Sequence, residues 1–238
     1  MENRQKELKE MLKNAVHFGH ATAKWNPYMK KFIHGERQGI HVFDLNKTYD
    51  ALNSALDFLK QSSKEGKIIL FVNTKQQATD LVREAALDCK MPYVTQKWVP
   101  GLITNFQTIK QRIRYLKKLK EEEITGEFAK YTKKEGLNLK KTINKLETAL
   151  GGVQELNRIP DVVLMFDVSR DTNAVKEASR AGVRIVGITD SNADPKKIDF
   201  PIPANDDAIK SLTYLTKKFT EAIKDGKAGA SNSSPVIK

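Results

Sequence analysis

The chain has 238 residues, and its 41 Lys and Arg exceed its 29 Asp and Glu, which gives a formal net charge of +12. A surplus of that size favours a partner rich in negative charge, nucleic acid before membrane, although a solvated basic surface gives the same count. The single cysteine, Cys89, excludes an internal disulfide framework and a zinc site made of several cysteines.

The chain opens on a predicted amphipathic helix over residues 3–16, in which Met11, Leu12, Ala15 and Val16 form an apolar stripe. This segment carries acidic residues and lacks the apolar core of a secretory signal. No apolar run elsewhere approaches the roughly 20 residues that span a bilayer. We therefore expect a cytoplasmic protein without a membrane partner, from a bacterium or from the stroma or matrix of an organelle that encodes it.

The segment HFGHATAKWNP follows this helix and places His17 and His20 three residues apart. At that spacing both imidazoles can lie on one side of a helix end, and Asp190, Asp194 or Asp206, near predicted strand ends, could add oxygen ligands for a metal. We nevertheless expect no metal and no cofactor, because two histidines alone are a weak signal. The favoured interpretation is a structured connector whose histidines are packed inside or face a nucleic acid.

The next segments predict an α/β fold. Two short apolar runs on either side of Gly35-Glu-Arg-Gln-Gly39 predict a hairpin, and TYDALNSALDFLKQ predicts a helix that ends near Gly66. The remaining predicted strands are 67–73, 92–98, 161–168, 183–190 and 199–203, and the remaining helices lie near 75–90, 174–181 and 209–223. Apolar strands that alternate with helices indicate a parallel sheet flanked by helices.

One segment interrupts this alternation with a different period. Leu102, Phe106, Ile109, Ile113 and Leu116 are spaced by four and three residues in turn, and Leu139, Ile143, Leu146, Leu150 and Val153 repeat the series. This spacing is typical of a coiled-coil seam, and the polar stretch between the two arms predicts an antiparallel hairpin. We therefore assign 104–156 to an inserted coiled-coil hairpin, 1–103 and 157–227 to the sheet domain, and 228–238 to a disordered tail.

No residue pattern indicates catalysis. The loop after IILFVN, Thr74-Lys-Gln-Gln-Ala, has no glycine to bring backbone N–H groups against a phosphate, and neither G-x-G-x-x-G nor the P-loop pattern occurs. Asp167, Asp190 and Asp194 could act as paired catalytic carboxylates, but caps and turns are the better interpretation for acids after strands. We expect no enzymatic activity and no small-molecule substrate. The alternative, a cofactor-binding enzyme, predicts a bound chromophore or nucleotide in the purified protein.

Two basic segments, KWNPYMKKF and KWVPGLITNFQTIKQRIRYLKKLK, interleave cations with aromatic residues. Exposed cations neutralise phosphates and planar side chains stack on bases, so both segments favour RNA binding through backbone and shape. The candidate RNA contacts are His20, Lys24, Trp25, Asn26, Lys30, Lys31, Arg37, Lys97, Trp98, Asn105, Lys110, Arg112 and Arg114. For Trp25 and Trp98 a role as core anchors stays open, and no RNP1, KH or zinc-finger signature is present.

Five blocks occur in order over about residues 5–225: AVHFGHATAKWNPYMKKFIHGERQGIHVFDLNKT, ILFVNTKQQA, MPYVTQKWVPGLITNFQTI, GGVQELNRIPDVVLMFDV and GITDSNADPKKIDFPIPANDDAIKSL. Together they resemble the bacterial-type small-subunit ribosomal protein S-two family. The resemblance implies a flavodoxin-like (Rossmann-like) parallel sheet with a protruding coiled-coil hairpin and no catalytic activity. It also implies binding to small-subunit ribosomal RNA near the head–body junction, beside neighbouring small-subunit ribosomal proteins, with ribosomal protein S-one among the candidates.

The chain departs from the family pattern at two places. Trp98-Val-Pro100-Gly101 stands where the family reads Trp-Leu-Gly-Gly, so the backbone course into the hairpin stays open. Asn73 stands where the family often has glycine. A free-standing RNA chaperone is the second alternative function, and failure to sediment with ribosomes would favour it.

Overall fold

The computed structural model describes residues 2–231, with side chains described for residues 4–229. Within that range the helices are α1 (Glu2–Lys13), α2 (Leu45–Lys64), α3 (Thr79–Asp88), α4 (Phe106–Ile124), α5 (Lys133–Leu150), α6 (Thr172–Arg180) and α7 (Ile209–Ser231). The strands are β1 (Phe18–Ala21), β2 (Ile33–Arg37), β3 (Ile40–Phe43), β4 (Ile69–Val72), β5 (Tyr93–Val94), β6 (Val162–Met165), β7 (Arg184–Thr189) and β8 (Phe200–Pro203).

The main sheet has five parallel strands in the order β5-β4-β6-β7-β8, which confirms the predicted α/β class. Its central strands are apolar throughout because both faces are covered. Ile69 and Phe71 of β4 pack with residues of α2, α3 and α7 on one face, whereas Leu70 and Val72 pack with residues of α4 and α6 on the other. The sheet therefore lies between two apolar layers.

A second, antiparallel sheet has the order β1-β3-β2. The predicted hairpin is formed by β2 and β3, and its two turn residues, Gln38 and Gly39, both have positive φ angles, 53° and 75°. Two such residues make the tight turn that suits the twist of a hairpin. Strand β1 lies in the segment that we interpreted as a connector, so its pairing with β3 is an addition to the sequence analysis.

The helices α4 and α5 form the predicted inserted hairpin. Ion pairs from Lys117 to Glu155 and from Lys140 to Glu123 show that the two arms run antiparallel. The predicted seam is buried along α4, but its residues belong to two separate clusters. Phe106, Ile109 and Ile113 pack with residues of the main sheet. Leu116, Leu119 and Ile143 form a cluster of their own further out, which we call the tip cluster.

Two predicted segments differ from the structure. The strand predicted over 92–98 is reduced to Tyr93–Val94, because the chain leaves the sheet there and turns toward the hairpin. The last helix continues through Ser231, so residues 228–231 of the predicted tail are helical, and 232–238 lie outside the described residues. Contacts hold this end of the helix: Lys227 Nζ donates to the Cys89 carbonyl at 2.6 Å.

Among the described residues, no helix is long and apolar enough to cross a bilayer.

Candidate nucleic-acid interface

The segment after β1 is fixed at the carboxyl edge of the main sheet by Asn26. Its backbone N–H donates to the Ser191 carbonyl at 2.7 Å, and its side-chain oxygen accepts the backbone N–H of Tyr28 at 3.0 Å. Asn26 thus has a structural role in addition to its predicted RNA contact. The neighbouring Trp25 is 38% exposed and packs one side of its ring against His41, which leaves part of the indole accessible for stacking.

Four predicted cations of this region are exposed: Lys24, Lys30, Lys31 and Arg37. We call them the N-terminal cations. None of them forms an ion pair with another side chain of residues 4–229, although Lys31 lies over the Phe32 ring. A cation without a carboxylate partner keeps its full attraction for a phosphate, because no ion pair has to be broken.

The remaining predicted cations lie at the start of the hairpin: Lys97, Lys110, Arg112 and Arg114. We call them the hairpin-base cations. No carboxylate pairs with them in the described part of the chain. Farther along the same helix the pattern changes, since Lys117, Lys118 and Lys120 pair with Glu155, Glu122 and Glu147. Along α4, unpaired positive charge is therefore confined to the turns nearest the main sheet. Asn105 is exposed beside these cations and accepts the Thr108 hydroxyl at 2.9 Å.

Trp98 is not available for stacking. Its side chain is 6% exposed, and its indole N–H donates to Glu177 at 2.9 Å. The core-anchor alternative therefore applies to Trp98, and we remove it from the candidate RNA contacts. The sequence left both roles open, because an aromatic residue among lysines has the same local pattern whether it is buried or exposed.

Helix α6 lies between the two basic regions. Near its start, Asn26, Thr172, Lys176 and Lys197 line a groove of about 390 Å³, which we call the α6 groove. Five residues beyond Thr172, the Glu177 carboxylate binds the start of the hairpin. Lys176 and Lys197 are exposed cations that the sequence analysis missed. They carry no local motif, and only the fold brings them between the N-terminal and hairpin-base cations.

Behind the N-terminal cations, acidic side chains converge at the carboxyl edge of the main sheet. Asp167, Asp190 and Asp206 follow β6, β7 and β8 and are buried. Lys75 Nζ lies 3.4 Å from Asp167 and 2.8 Å from Asp206. The ring of His20 reaches the same cluster, with Nδ1 3.0 Å from Asp190 Oδ1. Parallel strands end at one edge, and so the polar residues that follow them lie close together.

This crowding shifts several pKa values. The Asp190 carboxylate raises the pKa of His20 to about 9, while burial opposes the shift. Burial, and then the charges of Asp167 and Asp190, raise the pKa of Asp206 to about 7. Burial likewise raises the pKa of Asp171 to about 6, although Thr74 donates two hydrogen bonds to it. The cluster therefore holds more negative charge than Lys75 neutralises.

The predicted turn and cap roles of the acids are present in the structure. Asp194 accepts the Lys196 backbone N–H at 3.0 Å, Asp167 accepts that of Arg170 at 2.8 Å, and Asp190 accepts that of Ser191. Backbone N–H groups that donate to carboxylates stabilise the loops after the strands. These bonds account for the acids without a catalytic role.

The two histidines are separated by the local backbone. The two imidazoles do not share one side of a helix end, because α1 ends at Lys13 and His20 lies in β1, which begins at Phe18, after His17. His20 faces the acidic cluster. The His17 ring instead packs against Phe18, with the ring centroids 4.0 Å apart, and burial lowers its pKa.

The sequence profile of the Ribosomal protein S2 family matches residues 11–226 of this chain. The chain belongs to that family. It is 45% identical over 221 residues to small ribosomal subunit protein uS2 of Campylobacter hominis, a match that covers 93% of this chain and 83% of the relative. It is 46% identical over 219 residues to small ribosomal subunit protein uS2c of Mesostigma viride, covering 92% and 96%. Another uS2, from Coprothermobacter proteolyticus, is 42% identical over 222 residues and covers 93% and 83%.

Membership of the ribosomal protein S2 family decides between the alternatives left open by the sequence. The chain is a non-enzymatic constituent of the small ribosomal subunit that serves translation. The resemblance found in its five sequence blocks is confirmed. The enzyme and free-standing chaperone alternatives are set aside on the same ground.

For this S2-family chain we expect the free energy of unfolding to rise as the pH falls from 9 to 5. A carboxyl whose pKa is raised in the folded state takes up a proton that the unfolded chain does not hold, so Asp206 and Asp171 favour folding increasingly as the pH falls through about 7 and 6. His20 acts in the same direction, because its raised pKa gives stability that is lost as the pH rises through about 9.

Urea unfolding in a buffer with a chelator measures this dependence, and Asp206→Asn should flatten it between pH 7 and pH 5. Asp194→Asn is the matched control, since it removes an acid at the same edge that caps a turn outside the cluster. A wild-type stability that is constant or rises between pH 5 and pH 9 would contradict the assignment.

Proposed function

We propose that the chain binds small-subunit ribosomal RNA through the N-terminal cations, the hairpin-base cations and the α6 groove between them. The observation that carries the proposal is that all eight predicted cations of the two regions lack a carboxylate partner among residues 4–229. Farther along α4, Lys117, Lys118 and Lys120 are each paired with a glutamate. Trp25 and His20 lie beside the first region, and Asn105 lies beside the second.

Binding through these surfaces positions the protein by shape. Contacts to phosphates give affinity and orientation but read no base sequence. Specific placement then depends on the fixed separation of two basic surfaces on one rigid body. A folded sheet with a projecting hairpin provides that separation, and it can contact RNA segments that are distant in the RNA sequence.

The proposed site on the subunit is near the head–body junction, beside neighbouring ribosomal proteins, with ribosomal protein S-one as a candidate neighbour. The resemblance of the five sequence blocks supports this placement. A photo-reactive amino acid at Lys24 or Arg112 would locate the RNA by cross-linking. Cross-links confined to RNA segments far from the junction would contradict the placement while leaving RNA binding intact.

We expect Lys24→Glu, Lys30→Glu and Arg37→Glu together to weaken association with the small subunit and to make the protein easier to wash off with salt. Removing three phosphate contacts should lower the slope of log affinity against log salt by about 2–3, at roughly 0.7–0.9 per contact. Sedimentation of tagged protein on sucrose gradients at several salt concentrations measures both effects.

The matched control carries Lys9→Glu, Lys64→Glu and Lys210→Glu. These lysines are exposed and lie on α1, α2 and α7, which pack on the opposite face of the main sheet from α6. The control has the same net charge as the test variant and should stay with the subunit. Equal sedimentation of the test variant and the wild type at every salt concentration would show that the N-terminal cations do not contact RNA.

A further inference from the structure

We propose that His20, Asp190 and Asp206 bind one divalent transition-metal cation, Zn²⁺ or Mn²⁺, which fastens the small antiparallel sheet to the carboxyl edge of the main sheet. One ring nitrogen and one oxygen from each carboxylate lie within 4.8 Å of one another. Three atoms at that spacing can all lie within about 2.8 Å of a common centre. Side-chain rotations that move each ligand atom by about 0.6–0.8 Å then bring them to ordinary metal–ligand distances, roughly 2.0–2.2 Å for zinc.

The contact between His20 and Asp190 has the geometry of two ligands. Nδ1 of His20 is fully buried and lies 3.0 Å from Asp190 Oδ1, yet it makes no hydrogen bond, because the N–H direction misses the oxygen. Two ligands held about 2.1 Å from one ion are about 3.0 Å apart at the right angle of an octahedral site and about 3.4 Å apart at the angle of a tetrahedral zinc site. The separation of Nδ1 and Oδ1 therefore suits two ligands of one ion, and the other ring nitrogen, Nε2, lies 3.3 Å from Asp207 Oδ2.

The charge of the cluster also favours a cation. Asp167, Asp190 and Asp206 are at most 5% exposed, and Lys75 is the buried cation that contacts two of them. Asp207 adds a half-exposed carboxylate at 2.5 Å from the same lysine. Lys75 does not reach Asp190. Three buried carboxylates around one lysine leave negative charge that the protonated His20 ring offsets at Asp190, and burying such charge is costly. A dication beside Asp190 and Asp206 would take the place of the ring proton.

The surrounding backbone orients the ligands. Asp190 Oδ1 accepts the His20 backbone N–H at 3.1 Å, and Oδ2 accepts that of Asp206 at 3.2 Å. Carboxylates that ligate metals are commonly fixed by such hydrogen bonds. The approach of β1 depends on Gly19, because a Cβ there would lie 2.9 Å from Ser191 Oγ.

A further buried acceptor lies at the same edge of the main sheet. Asn73 is 1% exposed, its Oδ1 has no hydrogen-bond partner in the described part of the chain, and it follows β4 directly. Two residues earlier, Phe71 packs in the same apolar layer as Ile188, which is two residues before Asp190. The alternation of the strands thus places Asn73 and Asp190 on one face of the sheet.

The donor set selects the kind of ion. Imidazole nitrogen suits zinc and other transition metals, whereas Mg²⁺ and Ca²⁺ prefer oxygen ligands alone. One imidazole with two carboxylates therefore fits Zn²⁺ or Mn²⁺ better than Mg²⁺. The ion would be structural, because it joins β1 to the loops after β7 and β8, and thereby fixes Lys24 and Trp25, which follow β1, against the main sheet.

Titration of metal-free full-length protein with Zn²⁺, Mn²⁺ or Mg²⁺ tests the proposal. We expect one equivalent of Zn²⁺ or Mn²⁺ by elemental analysis after desalting. At a hundredfold excess of ion over its dissociation constant, the melting temperature should rise by about 5–10 °C. His20→Gln and Asp206→Asn should each abolish the rise, whereas the exposed His34→Gln and the turn-capping Asp194→Asn should keep it.

A second readout does not depend on the variants. In protein labelled with ¹⁵N-histidine, Zn²⁺ should shift the ring nitrogens of His20 and leave those of His34 in place. The proposal is overturned if neither Zn²⁺ nor Mn²⁺ changes the melting temperature, if the rise persists in His20→Gln, or if the His20 ring signals do not respond. A response to Mg²⁺ alone would overturn the assigned ion. Ribosomal RNA takes no part in these measurements, so their failure leaves the proposed function untouched.

Discussion

Replacing Leu116 and Ile143 with aspartate should unfold the distal half of the hairpin while the main sheet stays folded. Both residues belong to the tip cluster, where they are 0% and 6% exposed. Loss of one buried leucine or isoleucine costs about 2–5 kcal/mol, and each carboxylate adds the cost of burying a charge in an apolar contact. Two short helices that stabilise each other through this cluster cannot absorb that loss.

The main sheet should survive because the tip cluster shares no fully buried residue with either apolar layer of the sheet. Native-state hydrogen exchange measures both halves of the prediction. Amide protection should disappear in the distal turns of α4 and α5 and persist in β4 and β6. Circular dichroism should show a matching loss of helix.

Ile113→Asp is the informative comparison. Ile113 lies one helical turn before Leu116 but packs with the main sheet, so this single change should lower the melting temperature of the whole domain. Unchanged helix content in the Leu116→Asp, Ile143→Asp variant would contradict the prediction, as would loss of protection in β4 and β6.

The coiled-coil seam itself could be predicted from the sequence. Its division into a part that packs on the main sheet and the tip cluster could not. The spacing by four and three residues depends only on helical period, and Phe106, Ile109, Ile113 and Leu116 are buried as that period requires. Whether a seam residue packs against the partner arm or against the sheet depends on where the hairpin emerges. That point is set by contacts with strands and with α6 that are remote in sequence.

In the candidate site, too, the sequence predicts local features but not contacts between residues that are remote in sequence. Asp190 and Asp206 were predicted at strand ends, because the carboxyl ends of parallel strands meet at one edge. Lys75 was missed: it lies 131 residues from Asp206 in sequence, and no local pattern marks the pair. Burial of Trp98 could not be predicted from the neighbouring sequence either, since its hydrogen-bond partner, Glu177, is 79 residues away.

Glu177 is the residue that fixes the start of the hairpin, and the sequence analysis overlooked it. Its carboxylate accepts the Trp98 indole N–H and the backbone N–H groups of Gly101, Ile103 and Thr104, at 2.8–3.3 Å. Burial opposes ionisation, but these hydrogen bonds outweigh it and lower the pKa of Glu177 below its ordinary value. They determine the backbone course around Pro100 that the sequence left open.

We expect Glu177→Ala to destabilise the protein by about 3 kcal/mol and to weaken association with the small subunit. Hydrogen bonds to a charged acceptor contribute roughly 1.5–3 kcal/mol each, but Glu177 is partly exposed, so water replaces some of the loss. Glu177→Gln should cost less than Glu177→Ala, because its amide oxygen still accepts two of the N–H groups.

Urea unfolding gives the stability, and gradient sedimentation at low temperature gives the association. Arg180→Ala, on the same helix, is the matched control: it should leave the stability unchanged, because Arg180 is exposed. If Glu177→Ala unfolds at the wild-type urea concentration, the start of the hairpin is held by apolar packing alone, and the fixed separation of the two basic surfaces does not depend on this carboxylate.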